Sequence, residues 1–289
     1  MSKTSFSVRK KKSKKYPLIG LALGGGSARG IAHIGVLKAF IENSIPIDFI
    51  SGTSAGAIVA ASFAFGVPPN QMIEKSKNLS WYTLSSLPNS KLGLVSNKNL
   101  EKLIQEIIGS VDIEDARTPL AIMATNIETG KKVVLRRGHL VDAIRASSCL
   151  PGIFIPVEIN GAKLIDGGFI ENLPISPLQE MGANIIIGVN VVRWPSKNKM
   201  INLLDVVSIS TDILIRNQNN PSLEKANVLI EPNLENFSPS DFKKTDELVA
   251  EGYRAAINKM PEIKRLIGKR IAKNKPTGFF KQFIKFFNE

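Results

Sequence analysis

Cysteine and histidine are nearly absent from this chain, which has one Cys, at 149, and two His, at 33 and 139. A lone thiol cannot close an internal disulfide, which fits a reducing compartment. Two separated histidines and one cysteine give no cluster with metal-ligand spacing, so neither a metal nor another cofactor is expected. Long apolar runs are missing too. The longest, Ala55–Val67, is too short and too rich in small residues to span a bilayer. The basic start followed by Pro17–Gly26 has the outline of a signal sequence. Its apolar part is short, however, and runs into a Gly-rich turn with Arg29, which suits a strand, a loop and a helix; no targeting segment is expected.

What is present is an ordinary globular composition, 43% hydrophobic and 22% charged over 289 residues, enough for one large α/β domain. The net charge of +13 is concentrated at the two ends. Residues 1–15 carry +7 with no acid, residues 264–289 carry another +7, and the body between them nets −1. A neutral body with basic ends argues against a general nucleic-acid groove. It suits an enzyme body tethered to something anionic, with a cytoplasmic location and peripheral contact at the inner membrane surface as the expectation. Four segments are expected: a basic disordered arm at 1–16, a catalytic domain at 17–235, C-terminal helices packed on it at 236–274, and an amphipathic basic tail at 275–289. In that tail Phe279, Phe280, Phe283, Ile284, Phe286 and Phe287 share a helical face opposite Lys281, Gln282 and Lys285. Such a face either docks on anionic lipid or packs on the body.

The hydrophobic pattern alternates strands with helices. Strands are expected at 18–23, 47–51, 119–126, 131–136, 153–158, 162–165, 184–192 and 226–231. Helices are expected at 28–43, 55–66, 69–79, 97–109, 139–148, 201–217 and 243–259. This order predicts a mostly parallel sheet covered on both faces. Residues 70–110 fall where a cover over a site would lie.

Two glycine-rich turns carry the chemistry. Gly52-Thr53-Ser54-Ala55-Gly56 has an apolar strand running in and a small-residue helix running out. A sharp strand-to-helix turn of this kind lifts a serine hydroxyl above a sheet, and the flanking glycines leave room for it. The bland reading is a βα turn whose Ser54 caps the helix. Gly24-Gly25-Gly26-Ser27-Ala28-Arg29-Gly30 is the second such turn. A phosphate loop would end in Gly-Lys-Ser/Thr, which is missing, and a dinucleotide turn would need a glycine where Arg29 stands. An oxyanion hole made of backbone N–H groups remains, beside the simpler reading of a turn that lets helix pack on sheet.

A serine nucleophile needs a base. His33 sits inside the helix after the first turn and His139 opens a later one, and neither lies in a recognisable base motif. Asp166-Gly167-Gly168 follows a short apolar strand, and its glycines allow the carboxylate to approach another turn. A carboxylate shielded from water and bonded to a serine hydroxyl can take its proton. An ordinary Asp-Gly turn is the alternative.

In order along the chain, Gly24–Gly30, Gly52–Gly56, the stretch Arg145–Pro156 and Asp166–Gly168 resemble the patatin-like phospholipase family, most closely its compact bacterial branch, over about residues 15–235. The resemblance implies a three-layer α/β/α fold with a Ser–Asp dyad, Ser54 as nucleophile and Asp166 as base. It implies an oxyanion hole from the N–H groups of Gly25, Gly26 and Ser27. Arg29 would match the family's basic residue, positioning the loop or a phosphate, and Gly24, Gly30, Gly52, Gly56, Gly167 and Gly168 would support the motifs. The sequence departs from the family at Ser27, where a third glycine is usual, so Ser27 must adopt a backbone angle that a side chain tolerates. The implied activity is hydrolysis of a lipid or other acyl ester, of phospholipase or lysophospholipase type. The alternative is a catalytically weak regulatory or adaptor protein on the same fold that binds lipid or a protein partner.

Overall fold

The computed structural model describes residues 16–87, 90, 92–192, 203–218 and 223–273. The expected basic arm, apart from Tyr16, and the expected tail at 275–289 lie outside the described residues. The strands are β1 (Ile19–Leu23), β2 (Phe49–Thr53), β3 (Leu120–Asn126), β4 (Lys132–Leu135), β5 (Val157–Ile159), β6 (Ala162–Asp166), β7 (Ile185–Val189) and β8 (Val228–Ile230). They form one sheet in the order β5-β6-β3-β2-β1-β7-β8, with β4 pairing β3 off this path. The ladders from β3 through β2, β1 and β7 to β8 are parallel, while β4, β5 and β6 pair antiparallel. The fold is therefore the expected three-layer α/β/α arrangement around a mostly parallel sheet.

Both faces of the central strands are buried, which is why β1 and β7 read as unbroken apolar runs. Ile19, Leu21 and Leu23 join the large core beneath helices α1 (Ala32–Glu42) and α2 (Ala55–Ala64). Ala22 and Ile186 point to the other face and meet Leu173, Ile175 and Leu178. The remaining helices are α3 (Pro69–Ser76), α4 (Trp81–Leu84), α5 (Lys98–Ile107), α6 (Leu140–Ser147), α7 (Gly168–Glu171), α8 (Ile175–Glu180), α9 (Leu203–Gln218) and α10 (Thr245–Lys273).

Three element boundaries change, and α4, α7 and α8 are helices that the hydrophobic pattern did not predict. The helix expected at 28–43 opens as a 3-10 turn over Ser27–Ile31, and the α-helix begins at Ala32. The strand expected at 153–158 contracts to Val157–Ile159. The Pro151-Gly152 turn precedes it, and Pro156 has no N–H to give a ladder. The helix expected to end at 259 runs on through Pro261 to Lys273. Its buried stripe of Ala256, Met260, Ile263 and Ile271 continues past the proline, so packing outweighs the lost backbone bond. The backbones of α1 and α10 touch. A Cβ on Gly35 would lie 2.0 Å from the Val249 carbonyl oxygen, and one on Gly252 would lie 1.8 Å from that of Ala32.

Register brings the site together. Leu23 at the end of β1 lies beside Gly52 of β2, Thr53 beside Met123 of β3, and Ala124 beside Asp166 of β6. The two glycine-rich turns and the Asp-Gly-Gly turn therefore leave the sheet at one level. The first two lie at the C-terminal ends of neighbouring parallel strands, where α/β sheets place their ligand crevices.

Candidate active site

Ser54 sits between β2 and α2 with φ 53° and ψ −124°, a left-handed conformation that is unusual for a residue with a side chain. The turn is tight enough to demand its glycines. A Cβ on Gly52 would come within 2.5 Å of the Gly56 carbonyl oxygen, and one on Gly56 within 2.2 Å of that of Leu23. The Ser54 N–H donates to Ser147 Oγ at 2.9 Å. Ser147 belongs to the Arg145–Pro156 stretch, and Cys149 of the same stretch accepts the Asp166 N–H through its carbonyl at 2.9 Å. One segment thus fixes the backbones of both residues.

Ser54 and Asp166 line the same pocket, and the Ser54 side chain favours the charged form of the Asp166 carboxyl. Asp166 is buried, and its Oδ1 accepts the Gly168 N–H at 2.8 Å. Burial pushes its carboxyl up to about 6, against the opposing pull of the Gly168 N–H and of the Ser54 side chain. Gly167 is required by proximity, since a Cβ there would lie 2.4 Å from the Met123 carbonyl oxygen. The neighbouring Cys149 thiol is pushed up to about 12 by burial and by the Asp166 charge, which keeps it protonated and inert.

Neither histidine bonds to Ser54. His33 is buried with Nε2 at 2.7 Å from the Gly24 carbonyl oxygen, so this nitrogen carries the proton and donates it. Burial lowers its pKa to about 4 and keeps the ring neutral. His139 precedes α6 and bonds Asp142 and Ser110.

The Gly24–Gly30 turn is held from several sides. The Gly24 N–H donates to the Val189 carbonyl at 3.1 Å. Gly25 is bonded twice to the buried Asn172 side chain. Its N–H donates to Oδ1 at 3.2 Å, and its carbonyl accepts from Nδ2 at 3.3 Å. This departs from the expectation for Gly25, because its N–H already has an acceptor. Among the described residues the N–H groups of Gly26 and Ser27 meet none. Ser27 adopts φ 52°, the left-handed region that a glycine would enter without strain. Gly30 lies against α2, where an added Cβ would come within 2.5 Å of Ala55 Cβ. Arg29 is fully buried, donates from Nε to the Gly26 carbonyl at 3.4 Å and forms an ion pair with Asp212 of α9. Of its two expected roles, these contacts fit positioning of the loop.

Beside Ser54 and Asp166 lies a mainly apolar pocket walled by Leu79, Trp81, Leu84, Leu100, Phe154 and Phe242. Leu79, Trp81, Leu84 and Leu100 of this wall come from the 70–110 region expected to cover the site. Ser148 also lines the pocket, and its hydroxyl has no hydrogen-bond partner among the described residues. Sequence reasoning missed Ser147, Asn172 and Asp212. Ser147 lay within the Arg145–Pro156 stretch and Asn172 in the segment read as a loop after Asp166, while Asp212 carried no signal. Among the described residues no group of three or more His, Cys, Asp or Glu is gathered to hold a metal ion.

A serine on a strained strand-to-helix turn thus shares an apolar pocket with a buried aspartate at the C-terminal edge of a mostly parallel α/β sheet. The patatin-like phospholipase family matches residues 21–178, and the chain belongs to that family. It is 29% identical over 267 residues to Lysophospholipase NTE1 of Meyerozyma guilliermondii, covering 81% of this chain and 19% of that protein. It is 36% identical over 178 residues to an NTE family protein of Mycobacterium tuberculosis, covering 61% of this chain and 49% of that one. The chain thus spans about half the length of the mycobacterial relative and a fifth of the yeast one. Among solved structures, VipD from Legionella pneumophila aligns over 85% of this chain and 67% of its own at 15% identity, with a TM-score of 0.48.

Proposed function

We propose that this protein is a serine acyl hydrolase acting on lipid esters, of phospholipase or lysophospholipase type. The observation that carries the reading is Ser54, on a strained strand-to-helix turn, sharing the wall of an apolar pocket with the buried carboxylate of Asp166. Asp166 takes the hydroxyl proton as Ser54 Oγ attacks the ester carbonyl carbon. The carbonyl oxygen becomes an oxyanion received by the Gly26 and Ser27 N–H groups, each good donor being worth on the order of 3 kcal/mol. The tetrahedral intermediate collapses and the alcohol leaves with the proton held on Asp166. Water, deprotonated by the same carboxylate, then attacks the acyl-Ser54 ester and releases the fatty acid.

Several observations support this reading. The chain belongs to a phospholipase family, a lysophospholipase is among its relatives, and the pocket suits a hydrocarbon chain. We further propose that the Lys-rich ends hold the enzyme at an anionic membrane surface and place it peripherally on the cytoplasmic side. No helix among the described residues is long and apolar enough to cross a membrane. The adaptor alternative drew on Ser27, but one left-handed residue costs only about 1–2 kcal/mol, too little to dismantle the turn.

The test compares wild type, Ser54→Ala and Asp166→Asn for lysophospholipid and phospholipid hydrolysis and for labelling by a fluorophosphonate. The expected result is loss of hydrolysis in both variants and loss of labelling in Ser54→Ala. A fully active Ser54→Ala protein ends the proposal.

A further inference from the structure

Helix α9 meets the site along one face, and no sequence motif marks it. Asp205 is buried and accepts the Ser240 hydroxyl at 2.5 Å, and Ser240 Oγ accepts Trp81 Nε1 at 3.2 Å. Trp81 stands in the pocket wall, edge-on to Phe242 at 5.6 Å between ring centroids and tilted against Phe154 at 6.3 Å. Two turns further along the helix, Asp212 pairs with the buried Arg29, whose Nε holds the Gly26 carbonyl. Ile215, one turn beyond that, lies 3.0 Å from where a Gly168 Cβ would stand, beside Asp166. Positions 205, 212 and 215 share a helical face, being separated by seven and three residues. That face reaches all three parts of the site: the pocket wall, the glycine turn and the Asp-Gly-Gly turn.

We propose that α9 is the brace of the active site and that its two carboxylates have separable tasks: Asp212 positions the oxyanion turn through Arg29, and Asp205 positions the acyl-pocket wall through Ser240 and Trp81. This rests on the hydrolase reading. Asp212 touches no substrate in it. Its carboxylate fixes the guanidinium, and the guanidinium fixes the Gly26 peptide, whose N–H must point at the oxyanion. Such donors act only when aligned, so a small displacement lowers turnover and spares ground-state binding. Trp81 instead meets the acyl chain along its length, so freeing it changes which chains fit.

The two tasks predict different kinetics on p-nitrophenyl esters of graded chain length. Asp212→Asn is expected to lower kcat by about tenfold to a hundredfold at every chain length with KM little changed, and Asp212→Glu to recover part of the loss. Fluorophosphonate labelling of Ser54 slows in parallel. Ser240→Ala is expected to change the ratio of kcat/KM between long and short esters by about threefold or more, whereas Asp212→Asn leaves that ratio near the wild-type value. Asp212→Asn removes a countercharge from the buried Arg29 and can fail to fold. The double variant Arg29→Met/Asp212→Leu removes both charges and is expected to fold with the same loss of kcat. A folded Asp212→Asn or double variant with wild-type kcat overturns the proposal. So does a chain-length shift of the same size in the Asp212 and Ser240 variants. Failure of the hydrolase reading itself appears separately, as full activity in Ser54→Ala.

Discussion

The side-chain amide of Asn172 pairs with the Gly25 peptide as a neighbouring strand would, accepting its N–H at 3.2 Å and donating to its carbonyl at 3.3 Å. Asn172 is buried and follows the Asp-Gly-Gly turn after the short helix α7, so it ties the aspartate segment to the glycine turn. Replacing it with leucine strands a buried donor and a buried acceptor. Asn172→Leu is expected to lose about 2–4 kcal/mol in urea denaturation. At temperatures where it stays folded, its kcat is expected to fall more than its KM rises, because the glycine turn is released.

Asp166 can accept a proton only when ionised, and burial raises its pKa to about 6. The proposed hydrolysis rate should therefore climb about tenfold per pH unit below that value and level off above it. The profile of kcat/KM between pH 4 and 8 on a soluble ester is the measurement. A rate that stays flat down to pH 4 removes Asp166 from the role of base.

Stability should show two opposing pH dependences. The Asp166 carboxyl is raised from 3.8 to about 6, so between these values the folded state holds a proton that the unfolded state has released. Its contribution therefore declines as pH rises through that window. His33 is lowered from 6.5 to about 4, so there the unfolded state holds the extra proton and stability grows with pH. The two windows nearly coincide, and each is worth up to about 3 kcal/mol. Wild type should thus vary little with pH on account of this pair. Asp166→Asn should melt higher than wild type at pH 8 and should reveal the His33 slope as a steep rise in Tm between pH 4 and 6.5. Parallel Tm curves for the two proteins would contradict this account.

Glycines in this chain differ sharply in what they tolerate. Gly56→Ala forces a methyl to within 2.2 Å of the Leu23 carbonyl oxygen, where backbone must yield. A destabilisation of about 3 kcal/mol or more is expected, with loss of activity. Gly268→Ala, in α10, meets nothing within 4 Å and should raise stability by about 0.5–1 kcal/mol through helix propensity alone. Thermal melts of the two variants provide the comparison.

Ser27 adopts φ 52°, which glycine enters freely and β-branched residues scarcely at all. Ser27→Gly should fold within about 1 kcal/mol of wild type and retain full hydrolysis. Ser27→Val should lose activity, even where circular dichroism reports a folded chain. A fully active valine variant would remove the turn from the chemistry.

The sequence by itself determined the strands and seven of the described α-helices in their order, while α4, α7 and α8 lay outside its expectations. Period-two and unbroken apolar runs marked β1, β2, β3 and β7, because a strand buried on both faces has no polar side to show. Glycines at 52, 56 and 167 marked the turns, because only the absence of a side chain allows backbones to approach within the distances found there. The extent of α10 was beyond reach, since Pro261 is a local stop signal that long-range packing against α1 overrides. The partners of the turns were equally hidden. Asp212, Asn172 and Ser147 reach Arg29, Gly25 and Ser54 from distant parts of the chain, and their hydrogen bonds leave no periodicity along it. The placing of Ser54 and Asp166 on one pocket was decided by strand register, because pairing Thr53 with Met123 and Ala124 with Asp166 sets the height of each turn. Register depends on cross-strand packing between residues far apart in sequence, so only the assembled sheet fixes it.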